Sequence, residues 1–221
     1  MSLIVVEHPL IRHRLSILRD RQTSCSMFRE ILSQVALLML PTVLSDLATN
    51  KVIVETPIGT ASERQIVEEV VVVPILRAGL GMMQPFVELV PNLRVCYLDI
   101  NRNPQTLMPD VRRSWLPETL DGACAAIVDP MLATGRITSR ATQLVKEKGA
   151  DRVKVMCLIA APEGVDCLMQ QHPDVQLYAA AVDDHLNAVG YIVPGLGDAG
   201  DRMTGFDLTF PAYVGRKSDG Q

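Results

Sequence analysis

The chain has 221 residues, of which 48% are hydrophobic and 21% charged, and its formal net charge is -4. That composition supplies a packed core for one domain and excludes a disordered chain. It also excludes a global basic field, so nucleic acid is not an expected partner and any bound anion must be held by local groups. The five cysteines, Cys25, Cys96, Cys124, Cys157 and Cys167, form no CxxC pair. They read as small buried hydrophobes in a reducing cytoplasm.

The elements follow in chain order. The N-terminus, MSLIVVEHPLIRHR, has a short apolar run and then charges, which is not a secretory signal. Residues 8–20 and 24–47 are predicted helices. In the second, Ser24 and Ser26 are candidate N-caps, and Met27, Ile31, Val35 and Leu38 form an apolar stripe. Its VALLMLPTVL run is short and broken by Pro41, well under the roughly 20 residues a membrane span needs. Residues 51–56 alternate like an exposed strand. EEVVVVPIL is a β-branched run of the kind buried on both faces of a sheet. A turn and helix, RAGLGMMQPFVELV, and a strand, RVCYLDI, come next. Residues 101–122 are polar and proline-bearing, and read as a loop or hairpin arm over a site. ACAAIVD is a strand, and residues 137–148 a helix closed by Gly149. VKVMCLIA, GVDCLMQQH and VQLYAAAV follow as strand, helix and strand. YIVPGLGDAGDRMTG is too irregular for the sheet and is a candidate binding loop. Strands alternating with helices predict a parallel sheet covered on both faces, with its ligand at the carboxyl ends of the strands.

Four stretches at those ends carry chemistry. In VDPMLATGRIT a buried strand delivers Asp129, and the turn that follows feeds a helix start. Its backbone N–H groups and helix dipole favour an anion, and Thr134 and Thr138 are possible hydroxyl donors. Such a turn also occurs in proteins that bind nothing. In PILRAGLGMM, Arg77 can fork onto phosphate oxygens beside Gly79 and Gly81. It could equally pair with a surface carboxylate. Arg102 ends the next strand at the same edge. In YIVPGLGDAGD, Gly195, Gly197 and Gly200 expose backbone groups able to read the edge of a small heterocycle, unless the stretch is a plain surface loop. His8, His13, His172 and His185 are scattered, and no metal-binding sequence pattern is present.

VVPILRAGLGMM, VDPMLATG, AAPEGV, HPDVQLY and GYIVPGLGDAGDR, in that order, closely resemble the uracil phosphoribosyltransferase family from residue 7 to residue 202. The resemblance implies an α/β type I phosphoribosyltransferase fold: a parallel sheet flanked by helices, with a hood formed from both chain ends. It implies a single domain over residues 1–221, with a core at about 67–185, a hood from 1–50 and 186–221, and an arm at about 101–122. The implied reaction joins uracil and phosphoribosyl pyrophosphate (PRPP), accompanied by Mg²⁺, to give UMP and pyrophosphate. By motif position, Arg77 and Arg102 would hold pyrophosphate and Asp129 the ribose hydroxyls. Pro130, Met131 and Leu132 lead into a 5′-phosphate loop of Ala133, Thr134, Gly135, Arg136 and Ile137. Ile192, Gly197 and Ala199 would read uracil, and Asp198 would face uracil and PRPP. No separate protein metal site is implied. A cytoplasmic homo-oligomer with the arm as a contact is expected.

The chain departs from the family pattern in three places. The phosphate loop reads ATGRI where the family has ATGGS, so Arg136 stands at a second glycine and Ile137 at a serine. If that position needs φ > 0, Arg136 costs on the order of 1–3 kcal/mol. Thr138 could replace the lost hydroxyl, or the Arg136 guanidinium could turn inward onto the phosphate; otherwise Arg136 points to solvent. RNPQT stands where RNEET is usual, and DVRRSWLP replaces a region with a Pro-Tyr pair. A catalytically weak or inactive pyrimidine- or nucleotide-binding regulator on the same fold is the alternative reading. The tail FDLTFPAYVGRKSDGQ is unassigned.

Overall fold

The structure, a computed structural model, describes residues 2–102 and 108–205, so the tail and residues 103–107 of the arm lie outside the described residues. In chain order the strands and helices are β1 Ser2–Val5, α1 Pro9–Arg19, α2 Cys25–Val43, β2 Thr49–Thr56, β3 Gly59–Ile66, β4 Glu69–Pro74 and α3 Leu80–Leu89. They continue as β5 Arg94–Val95, β6 Leu98–Arg102, β7 Pro109–Ser114, β8 Ala123–Val128, β9 Met131–Leu132 and α4 Arg136–Glu147. The last are β10 Arg152–Ala160, α5 Pro162–Gln171, β11 Gln176–Val182, β12 His185–Leu186, β13 Ile192–Val193 and α6 Ala199–Thr204.

The main sheet runs β1-β11-β10-β8-β4-β5, with β9 added beside β10, and every pairing in it is parallel. The β-branched run behaves as its composition predicts. Val70 and Val72 point into one core with Phe28, Ile31 and Met39 of α2, while Val71 and Val73 point into a second core with Ala141 and Val145 of α4. A period of two, buried on both sides, is why the run carries no polar alternation. All six residues of β8 are buried, which makes it the centre of the sheet. Among the described residues no helix is long and apolar enough to cross a membrane.

Five expectations change. Ser2–Val5 is an edge strand paired with β11, so the short apolar run at the N-terminus extends the sheet. The single strand over residues 51–56 is one arm of a β2–β3 hairpin that is mostly exposed. The RVCYLDI run divides: β5 stays on the sheet edge, whereas β6 turns away and pairs antiparallel with β7 to make the arm. The glycine-rich C-terminal stretch is partly regular, since β13 pairs with β12 and α6 follows a cap made by Asp198. Helix α2 also ends at Val43, four residues early, two residues after the interior Pro41.

Candidate active site

A cavity of about 300 Å³ lies at the carboxyl edge of the sheet, where the turns after β4, β6 and β8 meet the stretch from Gly190 to Gly200. Arg77, Arg102, Asp129, Met131, Ala133, Ile137, Ile192, Gly197, Asp198 and Ala199 all line it. Ten positions singled out in four separated stretches therefore converge on one space. Pro130, Leu132, Thr134, Gly135 and Arg136 do not line it. The Pro130 carbonyl accepts from the Leu158 and Ile159 amides, and the Leu132 side chain is buried in the second core. Both hold the path of the chain between Asp129 and the loop.

The ATGRI loop answers the question raised by its arginine. The left-handed residue is Gly135, with φ 75°, and it caps α4 without a side chain. Arg136 is the first residue of the helix and has no positive φ. The anticipated strain is absent, because the second position of this loop needs only helical backbone. The Arg136 guanidinium does not turn inward. It is exposed and lies 3.9 Å from the Met108 sulfur at the base of the arm. Thr138 is buried and is not part of the cavity wall, so it does not replace the missing serine there. What remains for an anion is the backbone: the first turn of a 12-residue helix with no side-chain cap and no acidic residue to compete.

Asp129 stands at the end of β8, open to the cavity on one side and enclosed by protein elsewhere. Burial pushes its pKa up to about 7; the 3.3 Å hydrogen bond from the Met131 amide opposes this, and the Asp198 charge adds to it. Two carboxylates thus face one small space. Across the mouth, Arg77 makes a 3.1 Å ion pair with Asp201, and Arg102 reaches 3.5 Å from the Val189 carbonyl. Both guanidinium groups are largely exposed, which leaves them able to exchange these partners for an anion. The Leu76–Arg77 peptide is cis.

The glycine-rich loop expected to read the base is fastened from behind by two arginines that sequence reasoning passed over. Arg19 of α1 forks onto Asp183 at 2.6 and 2.7 Å and donates to the Gly195 carbonyl at 2.8 Å, while the Gly195 amide donates to Asp183 at 2.7 Å. Arg202 is buried, donates to the carbonyls of Leu18, Leu196 and Asp20, and stacks 4.4 Å over the Phe28 ring. The only sequence signal was Arg202 closing the GDAGDR block; Arg19 gave none. Asn101 and Tyr191, also not anticipated, join the cavity wall.

Comparison with known proteins gives the family and the fold. The family model described as Uracil phosphoribosyltransferase matches residues 5–205. The chain belongs to the uracil phosphoribosyltransferase family. A uracil phosphoribosyltransferase of Symbiobacterium thermophilum is 47% identical over 203 residues, 91% of this chain and 97% of the relative. One of Streptococcus sanguinis is 48% identical over 205 residues, 92% and 98% of the two chains. The solved structure of the AQ2163 protein from Aquifex aeolicus superposes with a TM-score of 0.86 at 37% identity, covering 93% of this chain and 99% of that one. The architecture is the type I phosphoribosyltransferase fold that the family resemblance implied, and Arg136 and Ile137 sit in it as the first residues of α4.

Proposed function

We propose that the chain transfers the 5-phosphoribosyl group of PRPP to N1 of uracil, releasing pyrophosphate and forming UMP. The observation that carries this reading is the placement of Asp129 between the two arginine-bearing turns and the base-reading loop, in a chain of this family. As pyrophosphate leaves, positive charge grows on the sugar carbon. A fixed carboxylate beside the ribose stabilises that charge without reorganising, and cationic groups stabilise the leaving oxygens. Asp129 holds the ribose hydroxyls and stabilises that charge. Arg77 and Arg102 hold pyrophosphate. The backbone of residues 133–137 takes the 5′-phosphate, with Arg136 contributing its amide and not its guanidinium. Backbone groups of Ile192, Gly197 and Ala199 read one pyrimidine edge, and a rigid one-ring slot rejects a purine.

Mg²⁺ fits here as part of the PRPP substrate. Among the described residues no group of three His, Cys, Asp or Glu side chains is placed to hold a metal ion. The facing pair Asp129 and Asp198 nevertheless supplies one or two carboxylates, the share a protein usually gives to a phosphate-bound Mg²⁺. The ion would neutralise part of the pyrophosphate charge, and Asp198 would face it. The arm, carrying the exposed Trp115 beside Arg113, is the proposed contact of a homo-oligomer. UMP formation from labelled uracil, PRPP and Mg²⁺ tests the activity. A protein that binds UMP but yields no labelled UMP would instead be a nucleotide-binding regulator.

A further inference from the structure

The AAPEGV stretch, residues 160–165, contributes nothing to the cavity wall, yet it touches one of the loops that form it directly and reaches the other through β12. It lies at the junction of β10 and α5. On one side the Ala161 amide donates to the Leu132 carbonyl at 2.9 Å. Gly164, in the first turn of α5, lies directly against the phosphate loop: a Cβ there would be 2.3 Å from the Ala133 carbonyl oxygen and 2.7 Å from that of Leu132. The fit is reciprocal, since a Cβ on Gly135 would be 2.5 Å from the Gly164 carbonyl oxygen. Backbone meets backbone, with no flexible side chain to yield. Gly164 has no positive φ, so contact alone excludes a larger residue. On the other side, Glu163 accepts the Leu186 amide at 2.9 Å. Leu186 pairs with Ile192, the strand residue that opens the base-reading loop.

We infer that the first turn of α5 is a spacer that sets the separation of the two ligand-binding loops, Gly164 positioning the phosphate loop and Glu163 positioning the base loop. This rests on the reading that the two loops hold the two ends of one nucleotide. A transferase that joins a base to a sugar needs such a spacer, because the reacting atoms must be held within about 3–3.5 Å of each other. Neither residue touches ligand; both are positioning residues.

The test has a substrate-free arm and a kinetic arm, both on the full chain. In the free protein, Gly164→Ala is expected to speed amide hydrogen exchange over residues 133–139 and to leave β8 and β10 protected. Glu163→Ala is expected to speed exchange at Leu186, whereas Glu163→Gln, which keeps the accepting oxygen, does not. In the assay, Gly164→Ala should raise the KM for PRPP about tenfold or more, because displacements near 1 Å reach about a hundredfold. Its KM for uracil should stay within about twofold, since no contact to that end is removed. Glu163→Ala should raise the KM for uracil about fivefold, as for one lost hydrogen bond, with Glu163→Gln close to wild type. Unchanged exchange in the loops overturns the inference, as does a lowered Tm with both KM values unmoved. If the wild type forms no UMP, the transfer reading fails, and the exchange arm alone decides whether this turn seats the loops.

Discussion

The Asp129 carboxyl ionises near neutral pH because burial, and then the Asp198 charge, oppose its negative form more than the Met131 amide favours it. Its folded pKa lies above the ordinary 3.8, so the folded chain holds the proton longer than the unfolded one. Stability contributed by this group is therefore present at low pH, falls as pH rises from about 4 to about 7, and is flat above that. The role proposed for Asp129 in catalysis needs the opposite, the ionised form. With free enzyme, kcat/KM for PRPP should fall about tenfold per pH unit below about 7. Asp129→Asn should cost roughly 10²–10³ in kcat and raise Tm at pH 8, with a ceiling of about 4 kcal/mol from the pKa difference. A lower Tm for Asp129→Asn at pH 8 would show that the carboxyl is not strained in the folded state. Arg136 makes a contrasting case. Its amide belongs to the loop while its guanidinium lies out by Met108, so Arg136→Gly keeps the useful group. The KM for PRPP should move by no more than about threefold, with up to about 1 kcal/mol lost to glycine in the helix. A rise beyond tenfold in steady-state assays would put the guanidinium on the phosphate.

Among the elements, those whose neighbours share one environment were legible. EEVVVVPIL and ACAAIVD declare buried parallel strands because every side chain meets apolar surface. Helix α4 is bounded by two left-handed glycines, Gly135 and Gly149, and Gly149 was visible as its close, whereas the question of a positive φ fell on Arg136 one residue too late. RVCYLDI was not divisible by eye, because Cys96 and Leu98 are buried whether or not the strand leaves the sheet. The glycine-rich C-terminal loop shows the deeper limit. Its glycines marked a candidate binding loop, but its anchoring comes from Arg202 and Arg19, which reach across 184 and 164 residues of chain. Local pattern carries no trace of such pairs. Arg202→Lys keeps the charge and loses the fork and the flat stack on Phe28. We expect about 2 kcal/mol of destabilisation from carbonyls left unmet, and a rise in the KM for uracil that exceeds the rise for PRPP. Equal rises in both KM values would mean that the loop is not the element Arg202 secures.

Across the whole molecule, the two ends of the sheet do different work. The carboxyl edge holds the cavity and its opposed charges, while the amino edge holds a compensated ion cluster. Lys154 on β10 is 1% exposed, donates to the Val43 carbonyl at 2.7 Å and pairs with Asp46 just beyond α2. Arg152 bridges Asp46 and Glu68, so α2, the hairpin and the central strands are tied at one point. Desolvation pushes the Asp46 carboxyl up, but the Lys154 hydrogen bond and the attraction of Lys154 and Arg152 outweigh it and hold it below 3.8. A depressed carboxylate contributes stability above its unfolded pKa and loses it as pH falls through the folded value, the reverse of Asp129. Asp46→Ala leaves a buried ammonium with one carbonyl acceptor. Breaking a buried pair costs about 3–5 kcal/mol, and because Asp46 is 40% exposed we expect about 3 kcal/mol, the low end of that range. The cluster touches neither ligand loop, so KM for PRPP and for uracil should hold while thermal unfolding at pH 7 shifts downward. Asp46→Asn keeps an acceptor for Lys154 and should lose less. If Asp46→Ala changed the kinetics at unchanged Tm, the two edges of the sheet would be coupled through β10 and not independent.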